Sequence, residues 1–234
     1  MFFKAHIKKR LTDFDLDISI EIDKEEYTAI LGPSGAGKSM TLKIIAGIEP
    51  SEYQYILLED INISELPPEK RKIVYLTQKD SLFPHMNVFE NIVFPFIARG
   101  VKIDQNLLDK VIDTFKIRPL LHRLTKHLSG GEARRVALAR AICAKPKVLL
   151  LDEPLSFLDF HIRLELIDFL KKIPQAYGTS IIHVTHDPIE ACLLSHRIYI
   201  LKRGKIASCI KPNLDSAQLI NIVSKISPLI EALK

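Results

Sequence analysis

Much of what would place this 234-residue chain in a specialised class is missing from it. Its three cysteines, Cys143, Cys192 and Cys209, lie far apart with no C-x-x-C spacing. That speaks against both a disulfide framework and a thiolate zinc site, so they are expected to be reduced and packed. No apolar run approaches the ~20 residues that cross a bilayer; even 92–98 is broken by Pro95. The start, MFFKAHIKKR, sets two aromatics before its basic residues and lacks an extended apolar segment with a small-residue cleavage site, so no secretory leader is expected. No internal repeat is visible. The net charge is +5, but the bases are scattered over Lys8-Lys9-Arg10, Lys70-Arg71-Lys72, Arg134-Arg135, Lys171-Lys172 and Lys202-Arg203. Without interleaved aromatics these clusters form no single-strand stacking platform, and they read as a solvated, membrane-proximal surface rather than a nucleic-acid site.

What is present suffices for a folded core: 47% of residues are hydrophobic, enough for one α/β domain with an inserted subdomain. The most informative stretch is 128–159, LSGGEARRVALARAICAKPKVLLLDEPLSFLD. Ser129 and Glu132 have the S-x-x-E spacing of a capping box, and Gly130 and Gly131 leave the first helical amides open to an anion. After the break at Lys145-Pro146-Lys147, residues 148–151 read as a strand buried on both faces that delivers Asp152 and Glu153 at its carboxyl end. Two acids at that place suggest a metal ligand and a base.

A second motif lies upstream. Residues 14–22 and 27–31 are strand candidates, and the second runs into Gly32-Pro33-Ser34-Gly35-Ala36-Gly37-Lys38-Ser39, a complete G-x-x-x-x-G-K-[ST], with a helical stretch over 40–46 behind it. Strand, glycine-rich loop and helix in that order make a phosphate cradle: the backbone amides turn inward, Lys38 reaches the β- and γ-phosphates, and Ser39 offers a hydroxyl to magnesium. Residues 71–78 form another strand candidate ending at Gln78. The pattern turns helical between Asp80 and His127, with Leu107, Leu108, Val111, Ile112 and Phe115 on one face of a helix over 104–121. Residues 162–173 read as an amphipathic helix, 179–185 as a strand followed by His186 and Asp187, and 198–206 as a hairpin with Gly204 in its turn. His183, inside the strand, reads as packing.

LSGGE, the apolar strand, DEP and the S-x-L-D of 156–159 together resemble the signature, Walker B and D-loop motifs of ATP-binding-cassette (ABC) ATPases. The resemblance covers about residues 18–206 with five motifs in order. It implies a P-loop NTPase fold of the ABC type, with an antiparallel β-subdomain and an inserted helical subdomain. By it, 1–79 and 146–206 form the catalytic core, 80–145 the helical subdomain with the signature, and 207–234 a short C-terminal helical tail with no regulatory domain. It also implies ATP and Mg2+ as cofactors. Gln78 resembles the Q-loop glutamine that touches magnesium and the attacking water, and VTHDPIEA at 184–191 resembles the switch motif, whose histidine, here His186, contacts the γ-phosphate. Glu153 is expected as the catalytic base, Asp152 and Ser39 on the metal, and the amide of Met40, where threonine is usual, on a phosphate. Ser129, Gly130, Gly131 and Asp159 would complete the site from a second subunit of a homodimer.

Residues 83–92, FPHMNVFENI, resemble cassettes of binding-protein-dependent importers. The implied partners are transmembrane permease subunits and, indirectly, a periplasmic or extracellular substrate-binding protein. No nucleic acid is expected, and the location is the cytoplasmic face of the membrane. The motif flavour is nearest to the molybdate, tungstate and sulfate group, with iron and polyamine importers as rivals and a soluble ABC ATPase acting on nucleic acid or ribosomes as the alternative class. One departure stands out: the region that carries an adenine-stacking aromatic in many members reads Lys8-Lys9-Arg10-Leu11. Phe14 lies too close to the strand to serve, and Arg10 is the candidate to stack in its place.

Overall fold

The structure, a computed structural model, describes residues 2–78 and 82–212. Two alternating strands open the chain, β1 (Phe3–Arg10) and β2 (Asp15–Ile22). Phe3, Ala5 and Ile7 of β1 and Leu16, Ile18, Ile20 and Ile22 of β2 point inward and are buried. On the outer face Lys4 pairs with Glu21 and Lys8 with Asp17, as period-2 alternation requires. Strand β3 (Tyr27–Leu31) is buried at every position and leads into α1 (Lys38–Ala46). Then come β4 (Tyr53–Leu58), β5 (Ile61–Asn62) and β6 (Ile73–Leu76), followed by α2 (Val88–Ala98), α3 (Gln105–Thr114) and α4 (Gly130–Cys143). The chain closes with β7 (Val148–Asp152), α5 (Phe160–Tyr177), β8 (Ser180–Thr185), α6 (Pro188–Leu194), β9 (Arg197–Lys202) and β10 (Lys205–Ile210).

The ten strands run in the order β5-β4-β1-β2-β10-β9-β3-β8-β7-β6. From β9 to β6 all neighbours are parallel, whereas β5, β4, β1 and β2 are antiparallel and join the rest through the β9–β10 hairpin. The chain is thus an α/β P-loop fold with an antiparallel flank, and α2, α3 and α4 are inserted between β6 and β7. Helix α1 packs on one face of the parallel block with the inner side of the antiparallel strands. Helices α2 to α5 pack on the other face. The far end of α1 is fixed by Arg71, whose Nη1 donates to the carbonyls of Ile44 and Ile45 at 3.0 and 2.9 Å. A cation on the last carbonyls opposes the negative end of the helix dipole.

Several expectations change. Strand β1 occupies a segment read from sequence only for its leader and its bases. Arg71 and Arg134, assigned to the basic surface, are both 3% exposed. The helix expected over 104–121 ends at Thr114, because Lys116 turns left-handed (φ 51°) and Pro119 has no amide proton to continue the ladder. Helix α5 extends beyond 162–173 in both directions, and β10 runs past 206, through residues expected in the tail; the rest of that tail, from 213, lies outside the described residues. Cys143 and Cys192 are buried as expected, and burial pushes the Cys143 thiol up to about 12, but Cys209 is exposed. Among the described residues no helix is long and apolar enough to cross a membrane.

Candidate nucleotide site

The carboxyl ends of β3, β7 and β8 meet, and the loop after β3 curls over them. At its end Gly37 takes φ 100°, and α1 begins there with no side-chain cap. A Cβ on Gly37 would stand 2.7 Å from Leu16 Cδ1, so both the backbone angle and the space call for glycine. The first-turn amides of α1 are therefore left for a ligand. Lys38 is buried, and its Nζ donates to the carbonyls of Gly32 and Pro33 at 2.8 and 2.9 Å. Burial lowers its pKa, and the nearby charges of Glu153 and Asp152 pull it back up. Leu11, Ser34, Gly35, Gly37, Lys38, Ser39, Met40 and Glu153 line one open cavity of about 330 Å³. Gly32 donates its amide to Thr185 O (3.3 Å), and Ala36, itself buried, donates to Pro33 O (3.2 Å), which fixes the loop on the sheet.

Behind the cradle, Ser39 Oγ donates to Asp152 Oδ1 at 2.8 Å and Tyr75 Oη donates to Asp152 Oδ2 at 2.7 Å. Burial and the bond to Asp152 push the Tyr75 hydroxyl above its ordinary pKa, so it remains a donor. Tyr75 was not singled out in the sequence. Its position on β6 opposite Leu150 of β7, two residues before Asp152, is a pairing that only the sheet reveals. Among the described residues no three His, Cys, Asp or Glu cluster as a metal cage. One carboxylate and one hydroxyl side by side suit a hard cation that keeps water and phosphate oxygens as its other ligands, as Mg2+ does.

The three residues expected to act on the γ-phosphate side come together around Glu153. Its Oε1 lies 3.2 Å from His186 Nδ1, and its Oε2 accepts from Gln78 Nε2 at 3.4 Å. Its amide donates to Val184 O (3.0 Å), and its carbonyl accepts from Ser156 Oγ at 2.8 Å. Glu153 itself is left-handed, φ 44°, a sparsely populated conformation for a residue with a Cβ and one that clusters at functional sites. Gln78 thus stands beside the base, with no bond to Asp152 or Ser39. Its own carbonyl accepts from Arg134 of α4 at 2.7 Å, while Thr77 O accepts from the same guanidinium at 3.1 Å. Arg134 was hidden in an ordinary basic pair, yet it ties the signature helix to the turn after β6.

The remaining site residues lie elsewhere. Ser129 Oγ accepts from the Glu132 amide (3.3 Å) and Glu132 Oε2 from the Ser129 amide (2.8 Å), a complete capping box. A Cβ on Gly131 would meet Ile162 Cγ2 at 2.6 Å, so this glycine lets α4 and α5 approach. Asp159 is exposed at the start of α5 and makes no cap bond. None of Ser129, Gly130, Gly131 and Asp159 lines the cavity at Lys38. Phe14 is packed against Gly37 and Gly204 and is not among the residues lining the cavity, and Arg10 faces Asp15 at 3.7 Å. The side chain at the cavity's edge is Leu11.

An anion cradle, a hydroxyl–carboxylate pair and a glutamate beside a histidine come together on one parallel sheet, an arrangement suited to the phosphates of a nucleotide. The chain belongs to the ABC transporter family, whose description matches residues 16–156. It is 43% identical over 203 residues to the molybdate/tungstate import ATP-binding protein of Pyrococcus horikoshii, covering 86% of this chain and 59% of that one. It is 39% identical over 207 residues to the spermidine/putrescine import ATP-binding protein of Thermotoga maritima, covering 86% and 56%. The chain thus spans less than three fifths of the length of these relatives. The dimeric post-hydrolysis structure of the cassette MJ0796, bound to ADP and Pi, superposes with TM-score 0.77 at 26% identity, over 90% of this chain and 99% of that one.

Proposed function

We propose that this chain is the ATP-hydrolysing subunit of an importer, working as a two-fold homodimer at the cytoplasmic face of the membrane. The observation that carries the reading is the convergence of His186 and Gln78 on Glu153, at the edge of the cavity that holds Lys38 and Ser39. The α1 amides and Lys38 bind the phosphates. To do so Lys38 turns from the two carbonyls it now holds. Ser39 and Asp152 would hold Mg2+, which when bound would neutralise phosphate charge. Glu153 takes the proton of the attacking water, Gln78 orients that water, and His186 holds the carboxylate and faces the γ-phosphate. Since Ser129, Gly130, Gly131 and Asp159 lie outside this cavity, they serve the site of the second subunit, which fits the dimeric neighbour.

In the same reading, 1–79 and 146–206, extended by β10, form the core, and 80–145 the helical subdomain. Between them Val74, Leu76, Phe83, Phe94, Ala98 and Ala137 line an apolar groove of about 410 Å³, suited to a helix from a permease subunit. Molybdate or tungstate is the proposed cargo, delivered by a binding protein outside the cell; spermidine/putrescine importers among the relatives make polyamine the second candidate.

Two measurements test this. Glu153→Gln should lower hydrolysis by about 10²–10⁴-fold, the usual weight of a positioned base, while ATP still binds and holds the dimer; hydrolysis at the wild-type rate refutes the assignment. Co-expression with permease subunits should yield two cassettes per two permeases, with ATPase stimulated by oxyanion-loaded binding protein. Stimulation by polyamine instead changes the cargo, and stimulation by DNA, RNA or ribosomes without any permease partner refutes the importer.

A further inference from the structure

Behind His186 lies a buried histidine–carboxylate pair that the mechanism above does not use. His183 on β8 is fully buried and Glu190 on α6 is 6% exposed, with His183 Nε2 3.7 Å from Glu190 Oε2. Tyr27 Oη lies 3.4 Å from His183 Nδ1 on the other side of the ring. His183 Nε2 and Glu190 Oε1 have no hydrogen-bond partner. Burial alone would raise the Glu190 pKa, but the neighbouring His183, with the Thr185 hydroxyl and the Arg163 charge, holds it low, so the group stays a carboxylate. A buried pair of this kind contributes little stability that an apolar pair of the same volume would not. Its placement is more informative.

Glu190 reaches back from α6 to the end of β8, where Thr185 Oγ1 donates to its Oε2. The same Thr185 oxygen accepts the Asp187 amide at 3.0 Å. Asp187 Oδ1 caps α6 through the Ile189 amide at 2.8 Å, and its Oδ2 takes Arg163 Nη1 of α5 at 3.2 Å. Both neighbours of His186 are thus anchored. The His186 side chain is 57% exposed, and its link to the site is the 3.2 Å approach to Glu153. An exposed ring with one contact takes its direction from the backbone beneath it.

We propose that Glu190, buried beside His183, is a positioning residue for His186: by fixing Thr185, and through it Asp187, it sets the turn that aims the histidine at Glu153. This rests on the role given to His186 above. Glu190→Met removes the carboxylate at similar volume; Glu190→Gln keeps an acceptor for the Thr185 hydroxyl. In single-turnover hydrolysis by the full chain, Glu190→Met should be slower by about tenfold with ATP affinity unchanged, and Glu190→Gln should recover most of the rate. In a His186→Ala background Glu190→Met should cause no further loss, since the two act through one group. Thr185→Val, which cuts the same link without touching the His183–Glu190 pair, should behave alike and serves if Glu190→Met does not fold. Losses that multiply, a Glu190→Met rate equal to wild type, or a fall in ATP affinity in step with the rate would overturn the proposal. A His186→Ala rate equal to wild type would instead overturn the role of His186 itself.

Discussion

Two helices of this chain begin at glycine-rich turns, and the structure finishes them differently. Helix α1 starts at left-handed Gly37, with no side-chain cap and no acid in its first turn. Helix α4 starts at Ser129 with both halves of a capping box in place and Glu132 in its first turn. The orphan amides of a helix start need an acceptor. Where the sequence supplies one, as at α4, the amides of Ser129 and Glu132 are already bonded within the capping box. Where it supplies none, as at α1, the acceptor has to arrive with the ligand. Of these two starts α1 is the one left open to an anion, and in the proposed dimer α4 would offer its remaining surface to the other subunit.

The contrast can be tested by damaging each start in turn. Lys38→Ala removes the charged donor of the open site and should weaken ATP binding by tenfold or more, as expected for a hydrogen bond to a charged group at about 1.5–3 kcal/mol. Mixing it with Ser129→Arg should restore part of the hydrolysis lost by each alone, since one composite site of the mixed dimer is intact; no recovery at any ratio would break the division of labour. Gly131→Ala forces a methyl onto Ile162 Cγ2 and should cost about 1–3 kcal/mol by overpacking, read as a lower Tm that Ile162→Ala, which removes that methyl, partly restores. The smallest effect belongs to Ser129→Ala: loss of the cap costs about 1 kcal/mol, a Tm lower by about 2–4 °C for a domain of this size, with monomer nucleotide affinity unchanged. A loss of monomer affinity comparable to that of Lys38→Ala would mean that both starts face the same ligand.

The phosphate cradle and the acidic strand end were legible because each is carried by a handful of consecutive residues whose spacing is itself the chemistry, whereas the histidine turn was reached through the resemblance of 184–191 to a switch motif. The parallel block was legible from the apolar run 148–151, read as a strand buried on both faces. What escaped depends on partners distant in the chain. Strand β1 alternates Phe3, Ala5 and Ile7 with Lys4, His6 and Lys8, but its basic end drew attention to charge. Arg71 and Arg134 look like any surface arginine until the carbonyls of Ile44, Ile45, Thr77 and Gln78 are placed around them. His183 reads as packing until Glu190 is folded back onto it. Tyr75 acquires meaning only through β6–β7 register. Long-range hydrogen bonds to single polar side chains leave no periodic trace in a sequence.

The sheet order also governs when the site can come into being during synthesis. Strand β3, which carries the phosphate loop, has β8 on one side and β9 on the other, and its Tyr27 pairs with Ile181, so both neighbours lie some 150 residues or more downstream. A chain leaving the ribosome grows at about 5–20 residues per second, so the loop waits on the order of ten seconds before either neighbour exists. Until then β3 is an apolar strand with two unpaired edges, the condition most open to wrong pairing. Strands β1, β2 and β4, whose pairings are local by comparison, can assemble first and give α1 a surface to rest on. The nucleotide-binding competence of this cassette is thus acquired late, when the hairpin of β9 and β10 closes beside a loop translated near the start.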